Sequence, residues 1–278
     1  MKEIFDNLSE RTSKTTTKRY STSFSLGIYF LDRSIHRHIY NIYGFVRFAD
    51  EIVDTFLDYD RETLMLDFRN DTVKAIGQKI SLNPILNAFQ FTVNKYNIEW
   101  ELIDTFLKSM EMDLEQSSHD NQSFDEYIVG SAEVVGLMCL RVFTNNDRNQ
   151  YDHLKPSAMR LGAAFQKVNF LRDMKADYEV LGRCYFPNID LSRFSSEQKR
   201  LIEEDIEEDF DKALEGIRQL PKNSRQGVYL AYIYYRALFK KIKGVSPDKI
   251  MSMRIRIPNR LKFSLMLNSV IRVRINQL

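Results

Sequence analysis

The sequence predicts an all-α fold, and three observations lead to that class. The chain of 278 residues contains only 10 glycines and 6 prolines, whereas a protein built from many short strands needs frequent turn residues. Apolar residues recur every three or four positions through most of the chain, which is the spacing of one helix face. No segment alternates apolar and polar residues for long enough to predict a strand.

Each predicted helix is an amphipathic run bounded by residues that break helices, and the clearest spans 34–56. Further runs predict helices over 60–79, 83–95, 98–116, 123–143, 151–178, 196–218, 222–243 and from 258 to about 275. Residues 1–19 are polar and contain a Ser/Thr/Lys stretch, so we expect a loose lead-in that reaches a first helix near Tyr20. Residues 20–278 are expected to form one all-helical domain.

Composition and charge exclude several classes of protein. The formal net charge of +2 and the lack of a recognised motif argue against nucleic-acid binding. Cys139 and Cys184 form no Cys-x-x-Cys pair, so we expect neither a zinc site nor a disulfide framework. The beginning of the sequence lacks an apolar signal core, and charges interrupt every apolar run too early for a membrane-spanning helix. A cytoplasmic location is therefore expected.

Two pairs of aspartates, Asp50 with Asp54 and Asp173 with Asp177, are the candidate functional residues. Residues four positions apart on a helix are stacked neighbours, so each pair presents two carboxylates side by side. Such pairs are common on helix surfaces and usually have no function. Mg²⁺, however, prefers oxygen ligands and takes one or two carboxylates together with water and phosphate oxygens. Two facing pairs would therefore form a metal-lined cleft.

The neighbours of the two pairs strengthen the metal-site hypothesis. The first pair follows an apolar segment, residues 42–49, where unpaired carboxylates would be costly. The second pair shares its helix face with Gln166 and Asn169, whose amide groups can bind a diphosphate or its water shell. Arg47 and Arg172 stand beside the pairs and can bind phosphate oxygens through two hydrogen bonds each.

The motifs that contain these residues are similar to those of a known family. In chain order they are Tyr20–Ser25 (Tyr-Ser-Thr-Ser-Phe-Ser), Tyr43–Asp54 (Tyr-Gly-Phe-Val-Arg-Phe-Ala-Asp-Glu-Ile-Val-Asp), Tyr127 with Gly130–Gly136, and Gly162–Asp177 followed by Gly182–Pro187. Together they resemble the squalene and phytoene synthases, which join two prenyl diphosphates head to head. The resemblance runs over nearly the whole chain, and the first aspartate-rich motif is most similar to that of bacterial phytoene synthases.

The resemblance implies a helical bundle around a central apolar cavity, and it implies roles for individual residues. The expected metal ligands, for Mg²⁺ with Mn²⁺ as an alternative, are Asp50, Asp54, Asn169, Asp173 and Asp177. The expected catalytic residues are these four aspartates together with Tyr43 and Tyr127. The expected substrate contacts are Ser21, Ser23, Phe24, Arg47, Gln166, Asn169, Arg172, Tyr235 and Arg254.

The activity implied is the condensation of two geranylgeranyl diphosphates to phytoene in carotenoid biosynthesis, through a cyclopropyl diphosphate and without NADPH. The alternative within the family uses farnesyl diphosphate and gives squalene or dehydrosqualene. An alternative of another class is a non-catalytic helical assembly factor. Such relatives typically lose the aspartates, whereas this chain keeps all four.

The segment from Lys240 onward carries ten Lys or Arg residues against the single acid Asp248. A basic segment with interspersed apolar residues can lie on an anionic membrane, which here would be the inner face of the cell membrane. It can equally balance the acidic run 202–211 and cap the bundle. Both interpretations stay open, and Arg254 is expected to face the diphosphates.

Overall fold

The computed structural model describes residues 1–115, 118–189 and 194–258, and it confirms the all-α prediction. Those residues form no β-strand, and one isolated bridge pairs Ser118 with Cys184. The helices are α1 (Lys2–Tyr20), α2 (Thr22–Tyr29), α3 (Arg33–Asp54), α4 (Arg61–Gln78), α5 (Pro84–Tyr96), α6 (Trp100–Glu115), α7 (Asn121–Ile128), α8 (Val134–Phe143), α9 (Arg148–Leu181), α10 (Ser196–Gln219), α11 (Lys222–Lys243) and α12 (Pro247–Ser252). Most predicted helices agree with these bounds to within three residues.

The prediction of a loose lead-in over residues 1–19 is wrong, because these residues form helix α1. Its inner face carries Ser9, Ser13 and Thr17, which are fully buried against α3 and α5. Ser9 and Thr17 donate their hydroxyls to backbone carbonyls one turn earlier, so these polar atoms are satisfied inside the helix. The small side chains allow close approach: a Cβ atom on Gly44 would lie 3.0 Å from the Ser13 hydroxyl oxygen.

The two helices that carry the aspartate pairs have well-defined starts. Asp32 caps α3 by accepting a hydrogen bond from the Ser34 amide at 2.9 Å. Asp147 caps α9 in the same way, through the Gln150 amide at 3.0 Å. Helix α9 packs against α8, α10, α11 and α12, so the helix with the second pair lies at the centre of the bundle.

A π-helical turn, Val129–Glu133, interrupts the predicted helix 123–143 and joins α7 to α8. Gly130 and Gly162 make this turn possible through close contacts with neighbouring helices. A Cβ on Gly130 would lie 2.6 Å from the Ser109 Cβ, and one on Gly162 would lie 2.7 Å from the Ala132 carbonyl oxygen. π turns of this kind occur frequently at functional sites.

The remaining predictions have mixed outcomes. Helix α12 is an addition that the sequence pattern did not indicate. The predicted helix from 258 to about 275 lies outside the described residues. Both cysteines are free thiols in this structure. Among the helices of the described ranges, none has the length and apolar character needed to cross a membrane.

Candidate active site

One cavity of about 750 Å³ lies between the helices, and every sequence-predicted site residue lines it. The fifteen residues are Ser21, Ser23, Phe24, Tyr43, Arg47, Asp50, Asp54, Tyr127, Gln166, Asn169, Arg172, Asp173, Asp177, Tyr235 and Arg254. The volume is in the range of sites that enclose a small-molecule ligand. A position in the cavity lining does not by itself assign a role, so the individual roles stay predictions.

The cavity is polar at one end and apolar at the other. Its polar end is formed where α3 and α9 finish, around Asp54 and Asp177. The apolar lining includes Ile28, Leu31, Ile39, Ile42, Val135, Leu140, Phe143, Leu154, Leu161, Ile217 and Leu220. Leu154 and Asp173 both line the cavity and lie 19 positions apart on α9, which corresponds to about 28 Å along the helix. A long apolar chain with a charged head group matches this polarity.

The first aspartate pair is held by arginines from two directions. Arg47 forms ion pairs with both Asp50 and Glu51 on its own helix. Arg183 arrives from the segment after α9 and donates to the Asp54 carboxylate at 2.7 Å. The Asp50 and Asp54 side chains nevertheless keep about one third of their surface exposed, at 34% and 33%. They are therefore accessible to a ligand from the cavity mouth.

The second pair differs from the first, because arginines pair with only one of its two aspartates. Asp173 forms ion pairs with Arg172 beside it and with Arg254, whose Nε lies 2.7 Å from the carboxylate. Helix α12 packs on α9 and brings Arg254 to this position at the cavity, whereas its expected contact with diphosphate stays a prediction. Among the described residues, Asp177 has no lysine or arginine within ion-pair distance.

The two pairs face each other closely enough to interact through their charges. Burial and the Asp54 carboxylate raise the pKa of Asp50 to about 7. Burial raises the pKa of Asp177 to about 7 as well, with further contributions from Asp173 and from Asp54 on the opposite helix. Carboxylates that repel one another in this way need additional positive charge to ionise together.

A divalent cation fits this donor set, although it would need ligands beyond the protein. Within the described ranges, no three His, Cys, Asp or Glu side chains converge on a single point that could hold a metal ion. Mg²⁺ is usually bound by only one or two carboxylates and completes its shell with water and substrate phosphate oxygens. Opposed pairs of hard oxygen ligands therefore suit Mg²⁺ bound together with a diphosphate.

Arg47 is only partly satisfied by its acidic neighbours. Its guanidinium carbon lies 4.2 Å from the centre of the Tyr20 ring, and its Nε is buried without a hydrogen-bond partner. Ser21 caps α2 by accepting from the Phe24 amide at 3.2 Å, which fixes the start of the helix beside Arg47. Phe24 packs against Tyr43, with ring centres 4.9 Å apart. A free donor at the mouth suits a phosphate oxygen.

The opposite wall is formed by α9 and α11. The Tyr235 hydroxyl donates to the Asn169 side-chain oxygen at 3.2 Å, and the Tyr235 ring stacks on Phe165 with centres 3.9 Å apart. The Asn169 oxygen keeps a second lone pair for a ligand. Gln166 lines the cavity one turn away on α9.

The sequence analysis missed three residues of this site: Asp113, Arg183 and Tyr185. Asp113 lies near the end of α6, and its carboxylate accepts hydrogen bonds from Tyr127 at 2.7 Å and from Tyr185 at 3.2 Å. Arg183 also donates to the backbone carbonyls of Val53 and Asp113. Arg183 and Tyr185 belong to the Gly182–Pro187 motif, so the sequence contained a signal by which they could have been predicted. Nothing in the local sequence pattern indicated a role for Asp113.

Comparison with known proteins identifies the family. Residues 17–261 match the model of the squalene/phytoene synthase family, and the chain belongs to that family. The resemblance found in the sequence motifs is thereby confirmed. Two relatives are a phytoene synthase from Arthrospira platensis, 25% identical over 93% of this chain and 91% of its own length, and a 4,4'-diapophytoene synthase from Staphylococcus haemolyticus, 25% identical over 81% and 84%.

Solved structures agree on the fold. A dehydrosqualene synthase in complex with a ligand superimposes with a TM-score of 0.81 at 19% identity and covers 97% of this chain and 98% of its own. A squalene synthase from Alicyclobacillus acidocaldarius gives a TM-score of 0.75 at 21% identity, over 87% and 95%. The expected helical bundle of the isoprenoid synthases is therefore correct.

Proposed function

We propose that this protein condenses two prenyl diphosphates head to head, with geranylgeranyl diphosphate as substrate and phytoene as product. One observation carries the proposal: two opposed aspartate pairs, each with its own arginines, close the polar end of a deep apolar cavity. The diphosphates would lie between the pairs, and the hydrocarbon chains would extend toward Leu154 and Phe143.

The residues at the mouth have separate tasks in this scheme. Asp50, Asp54, Asp173 and Asp177, with the Asn169 oxygen, would hold Mg²⁺, or Mn²⁺ in its place. Bound there, the metal would neutralise the charge that develops on a departing diphosphate. Arg47, Arg172 and Arg254 would bind phosphate oxygens, and they would do so by exchanging a carboxylate for a phosphate partner.

The reaction requires no electrons from outside when the product is phytoene. Loss of one diphosphate leaves an allylic cation, and the C2=C3 double bond of the second chain attacks it to give a tertiary cation. Loss of a first proton from this cation closes the ring of a cyclopropylcarbinyl diphosphate. Loss of the second diphosphate, rearrangement and release of a proton give the hydrocarbon. The apolar wall excludes water that would trap these cations. NADPH would be needed only for reduction to squalene.

Farnesyl diphosphate is the second candidate substrate, and the relatives support considering it. The Staphylococcus haemolyticus relative is named a 4,4'-diapophytoene synthase, and the two solved structures are named for dehydrosqualene and squalene synthesis. Several other relatives are phytoene synthases, including that of Synechococcus elongatus at 25% identity.

One incubation tests the proposal. The purified protein is mixed with Mg²⁺ and either farnesyl or geranylgeranyl diphosphate, with and without NADPH, and products are read by mass spectrometry. We expect phytoene from geranylgeranyl diphosphate with or without NADPH. A C30 product from farnesyl diphosphate alone would overturn the assignment of substrate. Absence of any hydrocarbon from both substrates would contradict the proposed activity and favour a non-catalytic role.

Isosteric substitutions test the site. Asp50→Asn and Asp173→Asn should each lower product formation by at least about 100-fold, because stabilisation of the developing charge is lost. Asp152→Asn, on the exposed start of α9, serves as the matched control and should keep full activity. Titration calorimetry should show inorganic diphosphate binding only when Mg²⁺ or Mn²⁺ is present. Full activity of either Asn variant, or tight diphosphate binding after chelation, would contradict the assigned roles.

Peripheral membrane contact through the basic C-terminal segment stays a prediction, because 259–278 lies outside the described residues. Within the described part, Arg254 is engaged with Asp173 and Lys241 donates to the Arg256 carbonyl. Vesicle flotation with and without anionic lipid tests the membrane interpretation. If the segment binds membranes, the protein should float with vesicles that contain anionic lipid and not with vesicles that lack it.

A further inference from the structure

A buried carboxylate beside the cavity has no role in the scheme above. Asp113 is only 7% exposed, yet its side chain lines the cavity between the first aspartate pair and Tyr127. Both of its oxygens accept hydrogen bonds from tyrosines: Oδ2 from Tyr127 at 2.7 Å and Oδ1 from Tyr185 at 3.2 Å. Arg183 lies 3.7 Å from Oδ1, which supplies a positive charge for the buried carboxylate.

The geometry fixes where the tyrosine protons point. A carboxylate accepts hydrogen bonds and cannot donate them, so both hydroxyl protons are directed toward Asp113. Tyr185 also accepts a hydrogen bond from Arg183 at 3.2 Å. The Tyr127 oxygen is therefore left with its lone pairs, and not its proton, for the cavity.

The same hydrogen bonds act on the aromatic rings. Tyr185 stacks on Phe170 with centres 4.1 Å apart and planes inclined by 7°, and Tyr127 lies 5.1 Å from Tyr185. All three rings line the cavity near its polar end. Donation to a carboxylate polarises a phenol and increases the negative charge on its ring. A ring with more negative charge stabilises a nearby cation more strongly.

We propose that Asp113 is a positioning residue that orients Tyr127 and Tyr185, so that their oxygen lone pairs and electron-rich rings face the cationic intermediates. This inference rests on the proposed function. In this proposal Asp113 acts through the two tyrosines and makes no direct contact with the substrate. The sequence could not indicate this, because Asp113 comes from α6 and its partners come from α7 and from the segment after α9.

Asp113→Asn tests the proposal, because the amide keeps the shape but can accept from only one tyrosine. We expect kcat to fall by about 100-fold while KM stays within about threefold, since only the orientation of groups around the reacting atoms changes. In a double-mutant cycle, Asp113→Asn should have a smaller further effect once Tyr127 is replaced by Phe, because only the contact with Tyr185 is then left to lose. Asp67→Asn, at an exposed carboxylate on α4, is the control and should leave both constants unchanged.

A spectroscopic measurement keeps the test independent of turnover. In protein labelled with ¹³C at the tyrosine Cζ atoms, the resonances of Tyr127 and Tyr185 are assigned through their Phe variants. Asp113→Asn should shift these two resonances and leave most of the other tyrosines in place. Shifts spread over all tyrosines would indicate a merely structural role and overturn the proposal.

Two further outcomes would overturn it: unchanged kcat in Asp113→Asn, or additive effects in the cycle with Tyr127→Phe. A wild-type protein that forms no hydrocarbon contradicts the proposed function instead. In that case the ¹³C resonances still decide whether Asp113 orients the two tyrosines.

Discussion

Arg183 Nη1 lies 2.7 Å from Asp54 Oδ1, although 129 positions of the chain separate the two residues. The same guanidinium donates to the carbonyls of Val53 and Asp113, so one side chain joins the ends of α3 and α6 to the segment after α9. Its own surface is 5% exposed. This contact fixes the position of the first aspartate pair from outside its own helix.

Replacing Arg183 by Met should therefore destabilise the protein as well as inactivate it. Loss of the guanidinium removes one donor from each of the Val53 and Asp113 carbonyls and the neighbouring cation from the buried Asp113 carboxylate, which costs about 3–5 kcal/mol. Urea denaturation followed by circular dichroism measures the free energy of unfolding. Arg148→Met, at an exposed arginine on α9, is the control and should keep wild-type stability. A stable Arg183→Met protein would show that this contact does not hold the site together.

A second buried ion cluster lies in the interface between α9 and α10, and its residues do not line the cavity. Lys167, with 8% of its side chain exposed, pairs with Asp205 and with the fully buried Asp209. Lys167→Met should lower the free energy of unfolding by about 1–3 kcal/mol, because Asp209 loses its buried partner and keeps only the half-exposed Arg160, at 3.0 Å. Adding Asp209→Leu should recover part of this loss, since an apolar pair then replaces a buried carboxylate that has lost its buried cation.

Thermal and urea unfolding of the single and double variants check this prediction. Lys212→Met is the control, because Lys212 pairs with Glu208 on the exposed face of α10. A double variant less stable than Lys167→Met would contradict the assignment of the loss to Asp209.

Buried His38 should make stability depend on pH. Its Nδ1 lies 3.0 Å from the Thr92 hydroxyl, and its Nε2 lies 3.3 Å from both Arg37 Nε and Lys95 Nζ. Burial, helped by these two cations, lowers the pKa of His38 to about 3. In the unfolded chain the histidine binds a proton near pH 6.5. The unfolded state therefore binds more protons between pH 6.5 and 3, and lowering the pH favours unfolding.

The expected slope is about 1.4 kcal/mol of unfolding free energy lost per pH unit below pH 6. His38→Gln should flatten this part of the pH profile, even if it lowers stability at pH 7. Urea titrations at pH 7, 6, 5 and 4 measure the slope, and His153→Gln, at an exposed histidine, provides the control. An unchanged slope in His38→Gln would assign the pH dependence to other groups.

Gly27 and Gly227 form a matched pair at the contact between α2 and α11. A Cβ on Gly227 would lie 2.4 Å from a Leu31 methyl carbon and 2.6 Å from the Gly27 carbonyl oxygen, whereas a Cβ on Gly27 would meet nothing closer than 3.6 Å. Gly227→Ala should therefore cost about 1–3 kcal/mol through overpacking. Gly27→Ala should be neutral or slightly stabilising, because Ala favours helix over Gly.

Thermal unfolding distinguishes the two Ala variants directly. Since both glycines line the cavity, product analysis of the same variants reports whether movement of α2 changes the accepted chain length. Equal melting temperatures for the two variants would contradict the close contact at Gly227.

The parts of the site that follow helical spacing were predictable from the sequence. Asp50 and Asp54 lie on α3, Asp173 and Asp177 on α9, and both pairs reach the same cavity. The contact between α3 and Arg183 was not predictable in this way. Pairing across 129 positions depends on how helices pack, which local periodicity does not record.

Helix α1 was missed for a different physical reason. Its buried face consists of Ser9, Ser13 and Thr17, so hydroxyl groups occupy the positions where a periodicity search expects apolar residues. Their hydrogen bonds to carbonyls four residues earlier satisfy two of these hydroxyls. Ser9, Ser13 and Thr17 do recur every four positions, as residues on one helix face should. Because all three are polar, the sequence pattern indicated a solvated segment and not a buried helix face.

The π turn Val129–Glu133 has a consequence for how the cavity wall can vary. Each residue of an α-helix advances the helix face by about 100°. Tyr127 precedes the π turn, and Val135 and Cys139 follow it. The extra residue in the turn therefore sets the direction in which Val135 and Cys139 face the cavity independently of the direction of Tyr127. Loss or gain of one residue here would rotate one half of the wall relative to the other. Natural variation in this part of the chain should thus proceed by substitution at constant length.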